Sequence, residues 1–545
     1  MAGIGFELRK LFRDQGLLSS IRAYGYSSLT TVGPMVLCIS MIILMQRLMA
    51  STGAAYLEQE LFLATVVYCF IFSVLITGGL SLLLTRFIAD MMFEKKYEHM
   101  LSSFYGAAAV CLPLGAVCAW LFLRGVTAGF GYKAAAFLFF SELIIIWLQT
   151  VHLSALKDYK RIVRNFLYGV AIAVLGSWLV LALTPFKSAT AVLTMMAIGF
   201  FVIVLLSARH FEEMFPPKSS RLYFRFLGYF RKYPALFGIG TFFYSGVYIH
   251  SFVYWFGPYS ARVADQYAIS PFYDLPVFYA YLTIVPTLVA FVVSMETSFY
   301  EKYRDYYDKI LNGGTFNEVK RAKQAMQQTL MQEISFIMEL QLLFTVISIA
   351  LGIKLLPMIG FSMVQLDTFM TLVLGYFLFI TAFIVMLLML YFDDRKGALF
   401  VVLNAGMTYW TMSSENHGLG LFLAAFVTLV LALARLVAYV RNIDYYTFCA
   451  RPSAFTSRTA GPGFASKPPF WKQGRGKAAA TAVSVLVLSV VLAACSEEGV
   501  QPDKSAAPGA SAVPAMSGER FIDDKRLYER DEDTSVIPLY LTILP

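Results

Sequence analysis

The sequence predicts an all-α polytopic membrane protein: about 12 transmembrane helices in two six-helix bundles, with a further apolar segment as a candidate thirteenth. Three observations carry this. Of the 545 residues, 58% are hydrophobic and only 14% charged, against about 25% charged in an ordinary soluble domain. The apolar residues recur in runs of roughly 20, enough to cross a hydrocarbon core of about 30 Å. Lys and Arg alternate between connecting segments. With the N-terminus inside, 32 of the 44 fall on inner segments and 6 on outer ones, the asymmetry expected of cytoplasmic loops. This composition excludes a soluble enzyme, a disordered scaffold and a nucleic-acid-binding protein. The net charge of +9 records the loop bias, and no nucleic acid is expected as a partner.

In chain order the spans fall near 27–50, 61–85, 101–123, 134–156, 165–184, 188–208, 234–256, 275–298, 334–356, 365–391, 397–412 and 418–440. The stretch 397–412 is short and holds Asn404 and Gly406. The expected organisation is an N-terminal amphipathic segment 1–26, a first bundle 27–210, a cytoplasmic linker 211–233 and a second bundle 234–445. Residues 1–26 suit a helix lying on the inner membrane surface, because Ile4, Leu8, Leu11 and Phe12 share one face. No cleavable signal precedes the first span. The inner stretch 299–332 forms helical segments around Asn312–Gly314 and suits docking of a cytoplasmic partner or a solvated hairpin. The placement is a bacterial cytoplasmic (inner) membrane, multi-pass, with the N-terminus cytoplasmic and the lipid bilayer as surroundings.

The last hundred residues differ in character. Residues 446–477 read as a basic linker rich in Pro, Gly and Ser. Residues 478–495 pair an apolar core with Leu492-Ala493-Ala494-Cys495, which resembles a bacterial lipoprotein signal with Cys495 as the lipidation site. A simple thirteenth span fits the same residues. Residues 496–545 form an outer polar tail, whose last part resembles the opening of CotH-like proteins. One account is a transporter frame joined to a lipoprotein frame.

Catalytic signatures are absent. The chain has no Gly-rich loop ending in Gly-Lys-Ser/Thr and no His-Glu-x-x-His. The cysteines have no zinc-ligand spacing. A non-enzyme without cofactor, metal or catalytic residues is expected. Charges at membrane depth are costly, so they usually face a cavity or a partner. Glu142, Gln149 and His152 share one helical face and suit either a water-filled path or pairing between helices. Arg86 and Asp90, four residues apart, could pair or anchor an inner helix end. Glu296 lies near the inner end of span eight. Arg435 is read as snorkelling to the inner interface, and Asp393-Asp394 as a polar cap on a tight turn. The aromatic-dense segment 242–259 suits stacking on sugar faces, with Tyr244, Tyr248 and His250 as candidate path residues; membrane-interface anchoring is its other reading. Gly33-Pro34 in span one and Gly238, Gly240 and Gly246 in span seven are expected to interrupt corresponding helices of the two halves.

Several segments together resemble the PelG family of exopolysaccharide transporters: MAGIGFELRK at 1–10, RAYGYSSLTTVGP at 22–34, LITGGLSLLLTRFIADMMFEKK at 75–96, and the stretch from Tyr273-Asp274-Leu275-Pro276 to Thr315. The resemblance spans about 1–445. It implies a MOP-type flippase fold whose two bundles open a V-shaped cavity alternately to each side. It implies export of an N-acetylhexosamine-rich, Pel-like polysaccharide during biofilm matrix production. The implied partners are the polymer, a cytoplasmic PelF-like glycosyltransferase and PelD/PelE-like membrane proteins. A flippase for a lipid-linked sugar precursor and a membrane scaffold for a synthase are the alternatives.

Overall fold

The computed structural model describes residues 17–156, 159–215, 221–402 and 418–446. Its helices follow from a solvent constraint: in hydrocarbon a backbone amide finds no water, so apolar runs must satisfy their own hydrogen bonds as helices. Six make the first bundle: α1 Leu17–Ser51, α2 Tyr56–Phe93, α3 Glu98–Arg124, α4 Phe130–Leu156, α5 Tyr159–Leu183 and α6 Ala189–Met214. A 3-10 turn and the short α7 Gly228–Lys232 lead to α8 Pro234–Trp255. A two-stranded hairpin follows, β1 Ala261–Val263 and β2 Tyr267–Ile269, antiparallel with Arg262 opposite Ala268. The second bundle continues with α9 Pro271–Leu282, α10 Val285–Ser294, α11 Tyr300–Leu311, α12 Phe316–Leu355, α13 Met363–Tyr391, α14 Arg395–Val402 and α15 Leu419–Arg441. Among the described residues, eleven helical stretches are long and apolar enough to cross a membrane. The expected span at 397–412 begins as α14; residues 403–417 lie outside the described residues. So do residues 1–16 of the expected surface helix and everything after Tyr446, including the linker, the signal-like segment with Cys495 and the tail.

Helix ends are set locally. Thr315 and Glu318 form a capping box at the start of α12, and Ser362 and Gln365 do so for α13. Gly360 takes a left-handed backbone just before α13, where a side chain would be strained. The 40 residues of α12 extend about 60 Å, twice the hydrocarbon thickness, so its first half projects beyond the membrane beside α11.

Two expectations need correction. Gly33-Pro34 and Gly238, Gly240 and Gly246 do not interrupt their helices: α1 runs through Pro34 and α8 through its glycines without a break. The discontinuity lies in the eighth span. There α9 stops at Leu282, Pro286 follows in the first turn of α10, and a π-helical turn, Met295–Phe299, separates α10 from α11. Pro286 has no N–H to give the carbonyl four residues back, so it suits the start of the second piece, whereas α1 accommodates Pro34 within a continuous helix.

One glycine of α8, Gly240, serves packing between the bundles. Helix α2 lies against α8 along its length, and α1 lies against α10. At mid-length a Cβ on Gly240 would run into the Gly78 carbonyl, and one on Gly78 into the Tyr244 ring. Small residues permit this close backbone approach. We predict that Gly240→Ala lowers the stability of the purified protein by about 1–3 kcal/mol, whereas Gly129→Ala, with nothing within 4 Å of its Cβ position, does not. Thermal unfolding in detergent distinguishes them.

Candidate transport path

The α2–α8 seam has two ends with different chemistry. On the side where α2 begins, Tyr68 stacks on Trp255 with ring centroids 4.9 Å apart and planes 7° apart, and Phe72 stacks on Phe252. On the side where α2 ends, Phe87 meets the edge of Tyr229, whose hydroxyl donates to Asp90 at 3.0 Å. Arg86 pairs with Asp90 at 3.2 Å. It also shares the Tyr233 ring with Lys232 and Arg395, so this end gathers cations from both bundles.

Between these ends α2 carries a stripe that reading for charges missed. Ser73 donates its hydroxyl to the Phe70 carbonyl, Thr77 to Ser73, Ser81 to Thr77 and Thr85 to Ser81, at 2.8–2.9 Å. Such back-bonding satisfies each hydroxyl proton within its own helix; Ser73 already accepts from the Trp147 indole N–H of α4 at 2.9 Å, while Thr77, Ser81 and Thr85 keep oxygen lone pairs to accept with. Exposure rises along the stripe: Ser73 and Thr77 are buried, Ser81 is intermediate and Thr85 is exposed, next to exposed Arg86. The signal was present in the sequence as hydroxyls recurring every four residues.

The expected path residues are distributed over both bundles. Glu142, Gln149 and His152 lie on α4 and are buried at 8%, 4% and 1% exposure. Gln149 donates to the Val204 carbonyl of α6 at 3.1 Å, and His152 meets Ser103 of α3 at 3.1 Å. Their shared face thus turns toward helices of the same bundle. Glu142 keeps one buried carboxyl oxygen, Oε2, without a hydrogen-bond partner. On α8, Tyr244 lies against Gly78 in the seam and Tyr248 is buried. His250 has hydroxyls at both ring nitrogens, Tyr273 at 3.3 Å and Tyr376 at 3.2 Å. Glu296 falls in the π-helical turn; its side chain lies outside the described ones.

Two further groups were not foreseen. Arg435 does not snorkel: it grips Asp394 through two bonds, at 2.8 and 3.1 Å. Asp393 pairs instead with Arg395, so the two adjacent carboxylates hold different arginines. Near the α9–α10 break, Gln341 of α12 donates to the Thr283 carbonyl and to Thr345. Tyr281, Thr287 and Gln341 each keep a buried oxygen without a partner. Broken helices with unsatisfied oxygens are where membrane transporters place their binding groups.

Comparison with known proteins decides the family. Residues 1–448 match PelG, described as "Putative exopolysaccharide Exporter (EPS-E)". The chain belongs to the PelG family. Solved structures place this PelG-family chain in the same fold as the MOP superfamily. It resembles the inward-facing conformation of a multidrug resistance MATE family transporter at 12% identity and TM-score 0.50, covering 74% of this chain and 96% of that one. It resembles MATE in the straight conformation at 12% identity and TM-score 0.50, covering 76% and 96%. A comparison with curated proteins returns no match. The PelG-family chain is thus a multi-pass membrane transporter whose family exports exopolysaccharide.

The hydroxyl pair on His250 yields a direct test. Tyr273→Phe and Tyr376→Phe each remove one buried hydrogen bond and are expected to cost about 1 kcal/mol, read as a small drop in thermal unfolding temperature. No change in either variant would remove this network from the second bundle's stability.

Proposed function

We propose that this chain exports a Pel-like, N-acetylhexosamine-rich exopolysaccharide across a bacterial cytoplasmic membrane during biofilm matrix production. The family match over residues 1–448 carries this reading. The Lys and Arg asymmetry supports a cytoplasmic N-terminus, which makes the Phe93 end of α2 the inner end and the Tyr56 end the outer. The polymer comes from a PelF-like glycosyltransferase in the cytoplasm, held by PelD/PelE-like membrane proteins. The chain itself forms and breaks no substrate bond.

The polymer enters between the bundles at the inner end, past Arg86, Asp90 and Thr85. The hydroxyl stripe suits such cargo, because its lone pairs accept from sugar O–H and N-acetyl N–H groups. Tyr244, Tyr248 and His250 line the continuation on α8, with Glu296 near the inner end of the eighth span. Glu142, with Gln149 and His152 on its face, is the carboxylate proposed to couple ion movement to transport. Its buried Oε2 has no hydrogen-bond partner, so this oxygen is open to a proton or a cation.

Co-reconstitution with the synthase in inside-out vesicles tests the export reading. Polymer is expected in the lumen only when both proteins are present. Polymer made but left outside would favour a scaffold; movement of lipid-linked sugars without the synthase would favour a precursor flippase. Glu142→Gln is expected to lower lumenal polymer several-fold at an unchanged protein level, and undiminished export would remove Glu142 from the mechanism.

A further inference from the structure

We propose that the loop 256–270, which carries the β1–β2 hairpin, is the outer gate: a strap that moves with the second bundle and closes the gap by latching onto Tyr68 of α2. This rests on the export reading for its direction, and on the following geometry for its mechanism.

The base of the strap is clamped to its own bundle. Trp255, at the end of α8, donates its indole N–H to both carboxylate oxygens of Asp274, at 3.0 and 2.8 Å. Asp274 also accepts from the Ser270 amide at 2.9 Å. Ser270 donates its hydroxyl to the Tyr259 carbonyl, and Tyr259 stacks on Phe272. Residues 255 and 274 flank the loop, so these contacts join its two ends and fix it as one piece with α8 and α9. A buried carboxylate that accepts from two N–H groups, one of them shared between both its oxygens, is costly to strip of its partners.

The tip of the strap reaches the first bundle by hydrogen bonds and by ring contacts: Tyr267 meets the edges of Tyr68 and Phe122, and Val263, Tyr267, Ala268 and Ile269 are buried with first-bundle residues. Tyr68 uses one hydroxyl twice: it donates to the Ala268 carbonyl at 2.7 Å and accepts from the Ala268 amide at 2.9 Å. It thereby takes the place of a strand neighbour on the outer edge of β2. Tyr132 of α4 donates to Tyr267 at 3.2 Å and also meets Thr65. The Thr127 amide, in the α3–α4 loop, donates to the Ala264 carbonyl at 3.3 Å. Ala264 and Asp265 both hold left-handed backbone, at φ 49° and 62°, which is unfavourable for a residue with a side chain. The contact to Thr127 is therefore presented by a strained turn.

Exposure follows the same division. Near the strap, α2 is buried at Val67, Tyr68, Ile71 and Val74. Toward the other end Leu82 is half-buried, and Thr85, Arg86 and Ala89 are exposed. On this face exposure rises away from the strap, although Phe72 is exposed near it and Phe87 and Ile88 stay buried at the far end. To release a polymer outward, the strap must leave Tyr68, Tyr132 and Thr127 while keeping Asp274.

Two measurements on the full chain in vesicles test this. Spin labels at Ser51 of α1 and Arg262 of β1, both exposed, report the gap between the first bundle and the strap. Tyr68→Phe is expected to enlarge a longer-distance population roughly 2- to 10-fold, the equilibrium effect of one or two net hydrogen bonds. An identical distance distribution in both proteins would overturn the latch. In the second arm Thr127→Cys and Ala264→Cys, with Cys118→Ser to remove the half-exposed native thiol, are oxidised to a disulfide between neighbouring backbones. Export with the synthase is expected to stop, and to return on reduction. Export at the reduced rate from fully cross-linked protein would overturn the gate. If even the reduced protein exports nothing, the export reading fails, and the spin-label distances still decide the strap.

Discussion

The packing of α2 on α8 is the constraint on which the rest of this structure depends. Water provides no driving force between helices in lipid, so association rests on close packing and a few polar contacts. Gly78 and Gly240 let the two backbones touch at mid-length, and aromatic pairs extend the contact toward both ends. A larger residue at the crossing would separate the bundles and also move the Tyr68–Trp255 stack and the Asp90–Tyr229 bond. One narrow contact thus sets how both ends of the seam are held.

The polar groups divide by whether their hydrogen bonds are complete. His250 and Asp274 are surrounded by donors and acceptors that use them fully, and such networks hold helices in register. Thr85 and Ser81 satisfy only their protons and keep acceptor capacity. Glu142 Oε2, Thr287 and Gln341 Oε1 have buried oxygens with nothing to bond. Unfinished hydrogen bonding at membrane depth is expensive.

Much of the fold was legible because bilayer thickness and the K/R asymmetry act on long segments. Eleven spans appear where apolar runs predicted them. Local composition was a poorer guide to backbone breaks. Gly33-Pro34 and the glycines of α8 looked like interruptions, yet both helices stay whole, while the break at Leu282–Val285 was hidden in an apolar run beside Pro286. The pair Arg435–Asp394 joins residues 41 apart in sequence, a distance no helical period spans. The hairpin at 261–269 was missed because two three-residue strands give too short an alternation to read beside strongly apolar helices. Glu142, Gln149 and His152 do share a face, but which neighbour that face meets depends on helix packing that periodicity does not encode.

The central claim is that a hydrophilic polymer passes between the two bundles along α2. Photo-cross-linking during synthesis tests it most directly. A photoreactive residue at Thr85, on the exposed end of the hydroxyl stripe, is expected to capture radiolabelled nascent polysaccharide, while one at Leu343 on the exposed surface of α12 captures only lipid. Polymer that is exported normally yet never cross-links to position 85, or cross-links equally to 343, would contradict the account.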